Sequence, residues 1–161
     1  MAKTNAVRLL EQAGTEFAIR EYDYTDDALD AVTVAATLGV EPERVFKTLV
    51  TACDRGAHHV FCVPGNAELD LKKAARAAGA RRIALIRLRE LQPLTGYVHG
   101  GCSPIGMKRA FPTRIDETAE LFETILVSAG VRGLQIEIAP GALVEILAAA
   151  SPAGYSDLAA W

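Results

Sequence analysis

The strongest constraint on the fold is a pair of apolar runs separated by a short polar turn. Val45 to Cys53, VFKTLVTAC, carries apolar residues on both faces of an extended chain: Val45 and Leu49 on one, Phe46 and Val50 on the other. His58 to Pro64, HHVFCVP, follows after Asp54-Arg55-Gly56. A strand with two apolar faces belongs inside a sheet covered on both sides, and a turn this short predicts a hairpin. The flanking sequence must therefore supply the covering layers.

It does so with a mixture of helices and further strands. Thr4 is placed to cap a helix whose Ala6, Leu9, Leu10 and Ala13 share one face, with Gly14 as its stop. Glu16 to Tyr24 alternates as a strand, Asp23 to Asp30 is an acidic loop, and a second helix runs to about Leu38 before Gly39. Pro42 starts a short helical turn. Asp70 caps a helix from Leu71 to Ala78 that stops at Gly79. Arg81 to Ile86 is a short buried strand, and Arg87 to Gln92 a helical turn ended by Pro93. Phe111 to Ile115 is a strand whose Pro112 implies an edge or a strand start, and Asp116 to Glu120 a short helix. Phe122 to Ser128 and Gly133 to Ile138 form a second hairpin across SAGVRG. Gly141 to Ala150 is the last helix and Ser151 to Trp161 a tail. Hairpins mixed with helices give an α+β fold, and 161 residues suit one domain spanning 1–161.

Thr95 to Thr113, TGYVHGGCSPIGMKRAFPT, is chemically out of keeping with core packing. Paired glycines cost backbone entropy and mark either a positive-φ turn or a close approach of backbone to something else. Pro104 fixes φ and biases Ser103 toward an extended conformation. A rigid loop with open N–H groups and cations nearby suits a carbonyl oxygen or a phosphate. Lys47 is the second unusual residue. It either snorkels out from the start of its strand or lines a pocket aimed at an anionic ligand; its place on the Val45/Leu49 face favours the pocket.

Charge is divided unevenly. Between Lys72 and Arg114 there are ten Lys or Arg and one acid, Glu90, a local charge of +9. The other residues carry seven against nineteen, or −12, and together these give the net −3. A basic middle in an acidic chain points to a face that meets a polyanion. No apolar stretch approaches the roughly 20 residues of a membrane span, and the N-terminus has no signal-peptide core. A cytoplasmic location, with no membrane partner, is expected.

Several chemistries are disfavoured. The chain lacks a P-loop, a dinucleotide fingerprint, HExxH and a nucleophile elbow. Cys53, His58, His59 and Cys62 do not have zinc spacing, because His58 and His59 point to opposite faces of a strand; neither a metal nor another cofactor is expected. Cys102 and His99 stand close enough to invite a cysteine-hydrolase reading, but no third residue to orient His99 is visible. An enzyme here would act through positioning, backbone donors and Lys47.

FKTLV (46–50), LDLKKAA (69–75), TGYVHGGCSPIGMKR (95–109) and SAGVRGLQIEI (128–138) occur in the order and spacing of the YbaK/EbsC family. The resemblance covers nearly the whole chain and extends to the editing insertion domain of bacterial prolyl-tRNA synthetases. It implies a mixed, barrel-like sheet with helices around it, and a trans-editing deacylase that clears Cys-tRNA(Pro), with Cys-tRNA(Cys) as a further substrate. The substrate's own thiol would attack its ester carbonyl, leaving a cyclic thiolactone. The implied partners are aminoacyl-tRNA, chiefly tRNA(Pro), and prolyl-tRNA synthetase. By position, Lys47 would hold phosphate at the terminal adenosine, Tyr22 and Thr48 would line the pocket, Gly100 with Gly101 would face the ester carbonyl, and Ser128 would line the amino-acid pocket. His99 would stand near the ester. Lys72, Lys73, Lys108 and Arg109 are expected from charge to contact tRNA backbone. His99 and Cys102 replace aliphatic residues usual in relatives, and Gln135 stands where some carry Asp. Two alternatives remain at this point: a water-mediated Ala-tRNA(Pro) deacylase, and a non-catalytic module that binds tRNA or a synthetase.

Overall fold

The computed structural model describes residues 3–161. The two apolar runs form the expected hairpin, β2 (Phe46–Cys53) and β3 (His58–Pro64), paired antiparallel from Phe46 opposite Pro64 to Ala52 opposite His58. It lies within a mixed five-stranded sheet of order β5-β2-β3-β6-β9, where β5 is Ile83–Leu85, β6 Thr113–Asp116 and β9 Ala153–Ser156. β1 (Ala18–Glu21), β8 (Leu134–Ile138) and β7 (Ile125–Ser128) make a second, antiparallel sheet in that spatial order. A parallel bridge between Val45 and Leu126 joins the two. β4 (Glu68–Leu69) pairs with β10 (Ala159–Ala160). The α+β class holds. The barrel-like sheet, however, is three sheets among the described residues, and no single closed barrel forms.

Five helices cover these sheets: α1 (Asn5–Gln12), α2 (Ala31–Leu38), α3 (Leu71–Ala78), α4 (Leu88–Thr95) and α5 (Pro140–Ala148). Capping follows the sequence. Thr4 Oγ1 accepts from Val7 N, Asp30 from Thr33 N, and Asp70 from Lys72 N and Lys73 N. The main core gathers Leu10, Phe46, Ile115, Ile125, Val127, Ile136, Ile138 and Leu143 between α1, α5 and the strands. A second cluster packs α3 against Phe61, Val63 and Ile83.

Three local expectations need correction, and one of two alternatives is settled. The tail is not loose: β9 pairs with β6, Leu158 is fully buried, and Asp116 Oδ1 accepts from the N–H groups of Leu158 and Ala159, each at 2.9 Å. A buried carboxylate thus holds the C-terminus, a contact that no periodicity announces. Of the two places expected for Pro112, it takes the strand start: it directly precedes β6, which is flanked on both sides by parallel partners, and its carbonyl accepts from Val60 N. β5 is an edge strand with Ala84 and Leu85 exposed, not a buried one. Pro93 lies inside α4 without ending it. Its missing N–H leaves only the Arg89 carbonyl unmatched, on an exposed residue that water can reach, while Thr95 Oγ1 closes the last turn onto Leu91 O at 2.7 Å.

Candidate active site

A cavity of about 460 Å³ opens between the start of β2, the loop before α2, the loop after α4 and the β7–β8 hairpin. Val45, Phe46, Lys47, Thr48 and Leu49 all line it. Residues from both faces of one strand can border a single cavity only if that cavity runs along the strand's open edge. The pairing supports this, since β5 matches β2 only at Thr51 to Cys53, leaving the first half of β2 uncovered on that side.

The cavity collects Tyr22, Lys47, Thr48, His99, Gly100 and Ser128, six of the residues expected from the sequence. Lys47 is half-buried, and its Nζ lies 3.4 Å from Gly65 O, a long contact that leaves donors to spare. It does not snorkel away from the sheet. Thr48 Oγ1 lies 3.8 Å from Cys62 Sγ, across the register from it. Ser128 Oγ accepts from Gly130 N at 3.2 Å, so its hydroxyl proton is free to turn toward a ligand.

The glycine loop is held rigid, as its composition suggests. Tyr97 donates its hydroxyl to Ile105 O at 2.7 Å, and Ser103 Oγ accepts from Ile105 N. The two glycines have different jobs. Gly100 has φ +82° and borders the cavity, and a Cβ there would stand 2.9 Å from Leu29 Cδ1. Both the backbone conformation and the close approach require glycine. Gly101 lies outside the lining. Its N–H donates to Val98 O at 3.0 Å, and a Cβ would meet the Val131 and Arg132 backbone at 3.0 Å. It packs the loop onto the β7–β8 turn, so Gly100 alone of the pair keeps a free N–H among the described residues. Arg132 fastens the same loop from outside, donating from Nε to His99 O at 3.0 Å and pairing with Asp26 at 3.4 Å.

Four other lining residues, Asp26, Asp27, Asp30 and Gly65, were not singled out from the sequence as site residues, whereas Gln135 and Cys102 were noted there. Asp26, Asp27 and Asp30 form an acidic lip on the loop before α2; the acidic run was visible, its placement was not. Gly65 borders the cavity, and a Cβ there would stand 2.7 Å from Ala31 Cβ, so the position leaves no room for a side chain. Gln135 faces Ser128 across the hairpin register and is 5% exposed, and its Oε1 is buried with no hydrogen-bond partner. Cys102 also borders the cavity, but burial pushes its thiol up to about 11. Burial takes Cys62 up to about 12. Neither is a thiolate near neutral pH.

Of the four cations expected at tRNA, none lines the cavity. Lys73 is engaged elsewhere, donating to Asp157 and to Ala159 O at 2.9 Å each, so it pins the C-terminal strand. Arg109 lies 5.6 Å above the Phe111 ring, while Lys72 and Lys108 are exposed.

A family model described as the aminoacyl-tRNA editing domain matches residues 25–146, which include Lys47, Gly100, Ser128 and Gln135. A provisionally assigned Cys-tRNA(Pro)/Cys-tRNA(Cys) deacylase of Enterococcus faecalis, EbsC, is 47% identical over 144 residues, covering 89% of this chain and 88% of that protein. A proline–tRNA ligase of Shouchella clausii is 28% identical over 135 residues, 83% of this chain but 22% of the ligase. In three dimensions the chain matches the crystal structure of a provisionally assigned trans-editing enzyme for prolyl-tRNA synthetase, with a TM-score of 0.81, 25% identity and full coverage of both chains.

Proposed function

The chain belongs to the aminoacyl-tRNA editing domain family, and from that premise we propose that it is a single-domain, trans-acting deacylase that clears Cys-tRNA(Pro), with Cys-tRNA(Cys) as a second substrate. The carrying observation is the one cavity that holds an under-used lysine, an open glycine N–H and a small polar pocket together.

In this reading the acceptor end enters along the open edge of β2. Lys47 holds the phosphate of the terminal adenosine as a charge-assisted contact. Tyr22, Thr48 and His99 border the sugar and ester, and Ser128 with Gln135 borders the amino-acid side chain. The N–H of Gly100 polarises the ester carbonyl, and Gly101 keeps it aimed by packing the loop. Preorganised donors of this kind are worth about 3–4 kcal/mol when one is removed. The substrate sulfur forms a bond to its own carbonyl carbon, the bond from that carbon to the ribose oxygen breaks, and the thiol proton ends on the ribose hydroxyl. The amino acid leaves as a four-membered thiolactone. A deacylase of aminoacyl-tRNA would work in the cytoplasm, and no described helix is long and apolar enough to cross a membrane.

His99 favours a second reading. It is exposed, borders the cavity, and offers an imidazole that can activate water against Ala-tRNA(Pro). Purified protein incubated with Cys-, Ala- and Pro-charged tRNA(Pro) separates the two. Thiolactone from the Cys ester supports self-attack, free alanine supports water attack, and binding without loss of any ester would leave a non-catalytic module.

A further inference from the structure

The cavity mouth has lips of opposite charge. On one side stand Asp26, Asp27 and Asp30. On the other the chain leaves edge strand β5 and enters α4: Leu85 pairs opposite Thr51, Ile86 N donates to Val50 O at 3.1 Å, and Arg87 follows directly. Leu49 and Leu91 both line the cavity. Arg87 and Arg89 lie in sequence between Ile86, which is held to β2, and Leu91, which lines the cavity, so the start of α4 that carries them borders this side. Arg81 and Arg82 lie at the far end of β5, where Asp54 Oδ1 accepts from both of their N–H groups. All four arginines are exposed, and none takes part in an ion pair among the described residues. The single nearby acid, Glu90, accepts from Arg87 N.

We propose that this arginine edge, Arg81 and Arg82 through Arg87 and Arg89, is the surface that seats the acceptor stem of the aminoacyl-tRNA, and that the acidic lip sets the polarity of entry. The proposal rests on the deacylase reading of the cavity. With the 3′ end inside, the phosphate backbone leaves over one lip, and within a Debye length of about 8 Å the aspartates repel it from theirs. From Arg82 to Arg87 an extended chain covers roughly 16 Å, the reach of several successive phosphates on one strand. Arginine suits this task because its planar fork meets phosphate oxygens in pairs. The substrate's α-ammonium, opposite in charge to the backbone, turns toward the aspartates, which fixes which way round the ester lies. The basic segment thus acts through its middle, on β5 and the start of α4, and not through Lys73 on α3.

The test compares R87A/R89A, R81A/R82A and R8A, an exposed arginine on α1, on two substrates: full-length mischarged tRNA and a 3′-aminoacyl-adenosine ester that has no stem. R87A/R89A is expected to lower kcat/KM on tRNA about tenfold and to flatten the log–log salt dependence by roughly 1.4 to 1.8, at about 0.7–0.9 for each phosphate no longer neutralised. R81A/R82A is expected to act in the same direction, R8A to have no effect, and the stemless ester to be cleaved equally by all. Unchanged tRNA kinetics and salt slope in R87A/R89A, in a variant that melts like wild type, would overturn the proposal. Equal losses on the stemless ester would also overturn it, as would a loss seen only with a synthetase present, which would make the edge a protein-docking face. If wild type cleaves neither substrate, the deacylase reading fails by itself, and salt-dependent binding of uncharged tRNA to the same variants still reads the surface.

Discussion

Replacing Gln135 with methionine should stabilise the free protein and weaken its hold on a cysteinyl ester. Gln135 Oε1 is buried without a donor in a residue that is 5% exposed. An unmatched buried acceptor costs about 1–3 kcal/mol. Methionine keeps the length of the side chain and removes the acceptor. The free protein should gain about 1 kcal/mol or more, and each kcal/mol moves the melting temperature of a chain this size by about 2–4 °C. Bound substrate reverses the sign. The protonated cysteine thiol of a substrate entering beside Ser128 can donate to Oε1, and a hydrogen bond of that kind is worth about 0.5–1.5 kcal/mol net, or roughly 2- to 13-fold in ground-state affinity. Alanine has no side-chain donor. Q135M should therefore raise KM for Cys-tRNA(Pro) several-fold, leave KM for Ala-tRNA(Pro) nearly unchanged, and melt higher. Thermal unfolding and steady-state deacylation with both esters read the three quantities. Equal losses on both esters would assign the acceptor to the shared α-ammonium instead. A melting temperature that falls by several degrees would refute the reasoning, because Oε1 would then have a partner in the free protein.

Lys47→Ala should lose about 10- to 150-fold in kcat/KM, the size of a charge-assisted contact of about 1.5–3 kcal/mol, with little change in melting because Nζ reaches only Gly65 O at 3.4 Å. Gly100→Ala should cost about 1–3 kcal/mol of stability from its φ of +82° and push Leu29 out of place; a denaturation curve and a deacylation assay check both. Cys102→Ala should retain most of its activity, whereas a dead enzyme with an intact fold would restore Cys102 as the nucleophile. Burial raises Cys62 to about 12 and Cys102 to about 11, from 9.0. The folded state prefers the protonated thiols, so their contribution is complete below pH 9 and is lost as pH rises toward those folded values. Urea midpoints should fall between pH 9 and 11, and the fall should be shallower in a variant with both cysteines replaced by alanine.

The parts of the fold visible in the sequence were those written in short-range patterns. Val45 to Pro64 showed its hairpin because apolar residues alternate on both faces, and Thr4 and Asp70 showed helix starts because a cap acts within three residues. The C-terminal strands were hidden because their partners are distant in sequence: β9 pairs with β6, β10 with β4, and Asp116, some forty residues away, holds Leu158 and Ala159. Arg81 to Ile86 looked buried because it is partly apolar, yet nothing local says that β5 is the end of a sheet. The site divides in the same way. Lys47 and Gly100 stand out as residues that cost something where they are. Gln135 gives no such sign: its orphaned oxygen follows from what β7, β8 and the cavity fail to provide. Lys73 misled for the complementary reason, since its partner Asp157 lies 84 residues on.

The thiol that attacks can be argued from ionisation. At pH 7 a group near 11, such as Cys102, is thiolate in about one molecule in 10⁴. A cysteine thiol near its ordinary 8.5, as in a substrate lying in an open cavity, is ionised to about 3%, roughly 300-fold more. The more basic thiolate is the better nucleophile, but with a Brønsted slope of about 0.4–0.5 a difference of roughly 2.5 in pKa returns only about 13-fold. The substrate thiol keeps an advantage of some twentyfold before its attachment to the ester is counted. That attachment helps by holding sulfur beside the carbonyl, and it also demands a strained four-membered ring. The strain must be met at the carbonyl oxygen, where charge develops and where Gly100 offers an N–H that no other group in the loop takes up. A protein that leaves the nucleophile to its substrate must therefore supply a fixed donor at that oxygen. This explains why the paired glycines are divided between one that faces the cavity and one that packs the loop in place.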